Sequence, residues 1–229
     1  MSTNKSSVPS PTQRWIGFCG PGGTGKTTLA SVLATRHSLP FHTSPARSVF
    51  SRWKITSEAD QAQLTQHQQQ QFQAEIFSSR VEMEKGCDHT LPAIFDRTLL
   101  DHLIYTILRC PSTYDDVFYR NTFSLTLNSL SRYEVIFYLS PRYGLWQNDS
   151  FRVEGVEGME YAKRFEDVFF DLLRNINANI AFFIFNVHNI ISFKHSALLV
   201  RDLNPRQLFE LVKGREWRPS WGTCCKARG

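Results

Sequence analysis

An α/β sandwich of three layers, with a mostly parallel β-sheet covered by helices on both faces, is the fold this sequence predicts. Three observations predict it. Short apolar runs alternate with helical patterns along most of the 229 residues. The first run leads directly into a glycine-rich turn and a helical stripe. The longest apolar run, within 180–187, is strand-length and too short to span a membrane.

Residues 1–13 are polar, rich in serine and proline, and lack the apolar segment of a secretion signal, so they read as a disordered lead-in. The domain is expected over 14–212, followed by a basic, aromatic tail at 213–229. Its first strand is the run Trp15, Ile16, Gly17, Phe18, Cys19. Then come Gly20, Pro21, Gly22, Gly23, Thr24, Gly25, Lys26, Thr27 and Thr28, which match the phosphate-loop pattern G-x-x-x-x-G-K-[ST] at every fixed position. Glycines let the backbone approach an anion closely, and successive N–H groups then point inward at it. Lys26 would reach the terminal phosphates of a bound nucleoside triphosphate, and the Thr27 hydroxyl would hold Mg²⁺. Leu29, Val32 and Leu33 fall at helical spacing, so a helix is expected to start at the end of the loop and turn its positive dipole end toward the phosphates.

Further strands are expected at 40–43, 91–95, 134–139 and 180–187. The glutamine-rich stretch from Gln61 to Gln73 reads as part of one long helix, because glutamine is a fair helix former and Phe72, Ile76, Phe77 and Met83 supply an apolar face. Leu100, Leu103, Ile104, Ile107 and Leu108 make a second stripe, with His102 expected on the helix surface. A third consists of Tyr161, Phe165, Val168, Phe169 and Leu172. The polar, glycine-containing segment 143–158 reads as a loop between them.

Five scattered cysteines without C-x-x-C spacing, and seven histidines without metal-ligand spacing, argue against a disulfide framework or a zinc site and fit a cytoplasmic location. The net charge of +5 is concentrated at the end, where Lys213, Arg215, Arg218, Lys226 and Arg228 face only Glu216. Trp217 and Trp221 are interleaved with them, a combination suited to gripping phosphates and stacking on bases, or to packing back on the domain.

The loop alone does not say what is done with the nucleotide. A guanine-reading Asn-Lys-x-Asp is missing from the sequence. The strand at 91–95 runs into Asp96 and Arg97 where a motor ATPase would carry Asp-Glu. Asp96 followed by Arg97 suits a small kinase. The carboxylate would orient an acceptor hydroxyl or bind Mg²⁺ through water, and the guanidinium would sit on the phosphates.

With the phosphate loop, the Ser44, Pro45, Ala46, Arg47 segment, the glutamine-containing helix, and the run from Phe95 to Tyr105, the chain resembles the small phage and bacterial P-loop kinases of the thymidylate-kinase-like class. The resemblance covers residues 14–190. It implies a single domain with a five-stranded sheet, ATP and Mg²⁺ as cofactors, and a short mobile lid at Asn148, Asp149, Ser150, Phe151 and Arg152, with Arg152 touching the phosphates during transfer. Arg47, after the second strand, and Asp101, on the first turns of the next helix, are candidate acceptor contacts, with a surface arginine and an internal hydrogen bond as the respective alternatives. One branch of the class phosphorylates 5-hydroxymethyluracil within phage DNA, and the basic tail fits such a polymeric, acidic acceptor. A free deoxynucleoside monophosphate, or a nucleoside, is the alternative acceptor. A nucleotide-dependent switch is the reading that involves no acceptor.

Overall fold

Five parallel strands form the centre of the molecule, in the order β2-β3-β1-β4-β5. The structure is a computed structural model that describes residues 15–111, 117–141, 155–175 and 181–185. In chain order the elements are β1 (Trp15–Cys19), α1 (Lys26–His37), β2 (Phe41–His42), α2 (Ala46–Arg52), α3 (Glu58–Ala62), α4 (Gln66–Lys85), β3 (Ala93–Asp96), α5 (Leu99–Arg109), α6 (Val117–Leu130), β4 (Tyr133–Leu139), α7 (Gly155–Asn175) and β5 (Ala181–Phe185). Every neighbouring pair of strands is parallel. The expected strands all form, with ends shifted by at most two residues.

Strands covered on both faces must be apolar on both, and β1 is buried at all five positions. Ile16 and Phe18 face α1 with Ala30, Leu33, Ile94, Val135 and Leu139. Trp15 and Cys19 face the opposite layer, a larger cluster that includes Phe95, Leu100, Leu103, Ile104, Tyr138, Phe165 and Phe169. The chain moves outward from β1 to β2 by way of α1, and after β3 it crosses back to β4 on the other side. β1 is therefore the point where the strand order reverses, and ligands of open parallel sheets bind outside the carboxyl ends at such a point.

Three expectations are corrected. The glutamine stretch is split, with Gln61 in α3 and the long helix starting only at Gln66. Thr65 caps α4 by accepting from the Gln68 N–H while the Gln68 side chain accepts from the Thr65 N–H, and Ser57 and Asp60 build the same box at the start of α3. His102 is buried rather than on the surface, since α5 packs its whole first half inward. The end of the segment read as a loop is helical, because α7 begins at Gly155. Among the described residues, no helix is long and apolar enough to cross a membrane.

Candidate active site

The phosphate loop joins the carboxyl end of β1 to the first turn of α1. Gly20 has φ 138°, and a Cβ there would stand 2.5 Å from the Leu139 carbonyl oxygen, so only glycine lets β1 turn out of the sheet so close to β4. Gly25 occupies the N-cap of α1 with φ 81° and brings no capping side chain, and the first helical turn carries no acid. The amides there remain available to an anion, with the helix dipole behind them.

Lys26 is almost fully buried. Its ammonium folds back over the loop, donating to the Pro21 carbonyl and to Thr24 Oγ1 at 3.1 Å, while Thr24 Oγ1 donates to the Pro21 carbonyl at 3.1 Å. Burial, and next the nearby Arg97 guanidinium, lower its pKa to about 7.

Asp96, the last residue of β3, is the carboxylate that meets the loop. Thr27 Oγ1 donates to its Oδ2 at 2.7 Å. Its Oδ1 is shielded from solvent and has no hydrogen-bond partner among the described residues. A buried, unpaired carboxylate oxygen is costly unless something else occupies its lone pairs. The residues therefore fit a hard cation: Thr27 and Asp96 are oxygen donors set together beside the loop, the donor type Mg²⁺ takes.

Arg97 follows with φ 70°, and its guanidinium lies over the Tyr105 ring at 5.2 Å, donates to the Tyr105 hydroxyl at 3.3 Å and stands 3.6 Å from Asp101 Oδ1. Those partners raise its pKa against the opposing effect of burial, so it stays cationic. Lys26, Thr27, Asp96 and Arg97 are thus brought together, as the sequence leads one to expect.

Asp101 makes the internal hydrogen bonds that were the alternative to a substrate contact. It is fully buried, its Oδ1 accepts from the Gly20 N–H at 3.0 Å, and its Oδ2 accepts from the Thr98 N–H at 2.8 Å and the Thr98 hydroxyl at 3.1 Å. Both oxygens are engaged in tying the root of the phosphate loop to the start of α5. Arg47 is exposed in the first turn of α2, beyond the carboxyl end of β2. Arg152, the lid segment and the 213–229 tail lie outside the described residues.

Sequence reasoning missed the support behind the site. Arg80 and Glu84 are both wholly buried and paired at 3.0 Å, and Arg80 Nη2 donates to the Arg97 carbonyl at 2.6 Å. The available signal was an Arg and a Glu four residues apart in line with the buried face of α4. Farther out, Arg109 pairs with Glu58 of α3, donates to the Tyr161 hydroxyl of α7 at 2.9 Å and lies 4.8 Å above that ring.

The fold is shared with solved structures, two of them named as kinases. NadR protein in complex with NR superposes with a TM-score of 0.54 at 16% identity over 75% of this chain, which spans 43% of the length of that one. Thymidylate kinase from Candida albicans gives 0.54 at 16% identity, over 82% of this chain and 91% of the other. Deoxyadenosine kinase from M. mycoides with bound dCTP gives 0.50 at 16% identity, over 81% and 99%. At such identities the likeness is one of fold. No curated protein sequence matches the chain. The AAA domain family matches residues 15–187, a span that holds the whole sheet, the phosphate loop and the Asp96–Arg97 turn, and the protein belongs to that family.

Proposed function

We propose that the protein is an ATP-dependent kinase that transfers the γ-phosphoryl group to a small nucleoside-type acceptor, a free nucleoside or a deoxynucleoside monophosphate. The observation that carries this reading is Asp96 Oδ1, without a hydrogen-bond partner among the described residues, beside the Thr27–Asp96 hydrogen bond and one residue before a cationic Arg97. An acceptor oxygen needs a carboxylate in reach to orient it, and the transferring phosphoryl group needs positive charge around it. The loop amides and Lys26 hold the β- and γ-phosphates, and Arg97 faces charge that develops on the γ-phosphoryl oxygens. Asp96 Oδ1 accepts the acceptor's hydroxyl hydrogen. Thr27, with the Oδ2 side of Asp96 beside it, would hold Mg²⁺, which supplies charge neutralisation across the phosphates when bound and leaves Oδ1 to the acceptor.

A hydrolytic motor or switch is disfavoured by the same turn. The residue after Asp96 is a guanidinium and not a second carboxylate, so the strand end offers a phosphate clamp in place of a group to activate water. The small-acceptor choice draws on thymidylate kinase and deoxyadenosine kinase, whose fold this chain shares and whose names carry a nucleotide and a nucleoside.

The second reading is phosphorylation of 5-hydroxymethyluracil within phage DNA, and it rests on the cluster of five basic residues and two tryptophans at 213–229. γ-Labelled ATP and Mg²⁺ with a panel of nucleosides, nucleoside monophosphates, hydroxymethyluracil nucleotide and hydroxymethyluracil DNA separates these outcomes. Label on a free nucleoside or nucleotide is the expected result. Label only on DNA, with activity falling at a log–log salt slope of about −0.9 per phosphate contact, favours the second reading. Hydrolysis unaffected by every acceptor overturns the kinase assignment.

A further inference from the structure

Arg97 is a non-glycine residue held at φ 70°. That conformation is sparsely populated by residues with a side chain and persists only where the surroundings over-determine it. Tyr105 and Asp101 hold its guanidinium, and its main-chain carbonyl is held by Arg80. From the middle of α4, Arg80 Nη2 donates to the Arg97 carbonyl at 2.6 Å.

Arg80 has no freedom of its own. Its side chain is wholly buried, with Cζ 4.9 Å from the centre of the Phe95 ring. Nε donates to Glu84 Oε1 at 3.0 Å, Nη2 to the Tyr133 hydroxyl at 3.1 Å, and Nη1 faces the Met83 sulfur at 3.8 Å. Glu84, equally buried, also accepts from the Tyr133 hydroxyl at 2.8 Å and from the Ser129 hydroxyl, and Arg132 approaches it at 3.5 Å. One charge pair therefore joins α4, the end of α6 and the first residue of β4, and extends to the residue after β3.

An ion pair in a core adds little net stability over well-packed apolar side chains, because both charges are desolvated. What it specifies is geometry. Here the geometry is delivered at one point outside the core, the Arg97 carbonyl, on the main chain that follows Asp96 and carries the Arg97 guanidinium. We infer that Arg80 is a positioning residue for phosphoryl transfer: held by Glu84, Tyr133 and Ser129, it keeps Arg97 in its left-handed turn and so sets where Asp96 and the Arg97 guanidinium point. The inference rests on the kinase reading for its catalytic consequence and on geometry alone for its structural one.

The test uses the full chain carrying Arg80→Met, Arg80→Lys or Tyr133→Phe. In Arg80→Met, kcat for transfer to the acceptor should fall about 10²-fold, as for a small displacement of reacting groups. The KM for ATP should hardly move, since Asp101 and β1 hold the phosphate loop independently. Arg80→Lys, which keeps one donor for the carbonyl, should recover part of kcat. A crystal structure of Arg80→Met should show Arg97 out of the left-handed region. Unchanged kcat in a folded variant, or Arg97 still near φ 70°, overturns the inference. A merely structural role would lower stability and leave kcat per folded molecule and the lysine rescue unmoved. Should Arg80→Met not fold, Tyr133→Phe decides: it keeps both charges while loosening Arg80, and a native kcat together with a native Arg97 conformation again overturns the inference. If the wild type labels no acceptor, the kinase reading fails by itself, and the Arg97 conformation in the variant still settles what Arg80 holds.

Discussion

Thr27 and Asp96 lie 69 residues apart and meet through a 2.7 Å hydrogen bond from the threonine hydroxyl to the carboxylate. The contact joins the end of the phosphate loop to the end of β3, and it exists because β3 and β1 are paired in parallel with Phe18 opposite Asp96. Asp96→Asn keeps the shape of the side chain and a hydrogen bond to Thr27 but removes the charge. Transfer should fall by about 10²–10³, in line with loss of a preorganised charge partner. Thermal unfolding and ATP binding in the absence of Mg²⁺ should stay near wild type. Turnover within a few-fold of wild type would remove Asp96 from the chemistry.

Residues that act through local sequence were legible, and residues that act through distant partners were not. The loop from Gly20 to Thr28 announces itself because its function needs fixed residue types at fixed spacing. The strands were found because β1 and β4 are apolar runs, a pattern that needs no partner to be seen. Arg80 and Glu84 were missed because their partners, Tyr133 and Ser129, are 53 and 45 residues away and come near only when α6 and β4 are in place. His102 was misplaced because a stripe of leucines and isoleucines suggests one buried face, whereas Leu99 to Ile104 are all buried. The break at Thr65 was written locally, as a threonine three residues before a glutamine, but it stood inside a run of glutamines that masked it.

Asp101 acts as a bracket, and its removal separates loop geometry from catalysis. Asp101→Ala leaves the Gly20 and Thr98 amides without their acceptor, each buried. An unsatisfied buried donor costs about 1–3 kcal/mol. The midpoint of urea unfolding should drop, and ATP should bind more weakly because the root of the loop is no longer tied to α5. Wild-type stability together with wild-type ATP affinity would show that the bracket has no role.

Two glycines of the loop should differ in what they tolerate. At Gly20 an added Cβ would meet the Leu139 carbonyl oxygen at 2.5 Å, whereas at Gly25 nothing lies within 4 Å. Both hold positive φ, at 138° and 81°. Gly25→Ala therefore carries only backbone strain, of about 1–2 kcal/mol. Gly20→Ala adds a clash with main chain that cannot turn aside, so it should destabilise the fold more. Denaturation curves for the two variants give the order directly, and equal losses would contradict the packing around Gly20.

Lys26 should make ATP binding depend on pH. Its ammonium is buried against the loop and beside Arg97, which lowers its pKa to about 7 from the ordinary lysine value of 10.5. Between those two values the unfolded chain binds a proton that the folded chain has lost, so with ligand absent this group makes folding more favourable as pH rises from about 7 to 10.5. A bound triphosphate reverses the preference, because its negative charge favours the ammonium. ATP binding should then draw in up to one proton above pH 7, and affinity should weaken as pH climbs through that window, by at most about tenfold per pH unit. Calorimetry in two buffers of different ionisation enthalpy reads the proton uptake, which Lys26→Met should abolish. Identical binding heats in both buffers at pH 8 would mean that Lys26 is already charged in the free protein.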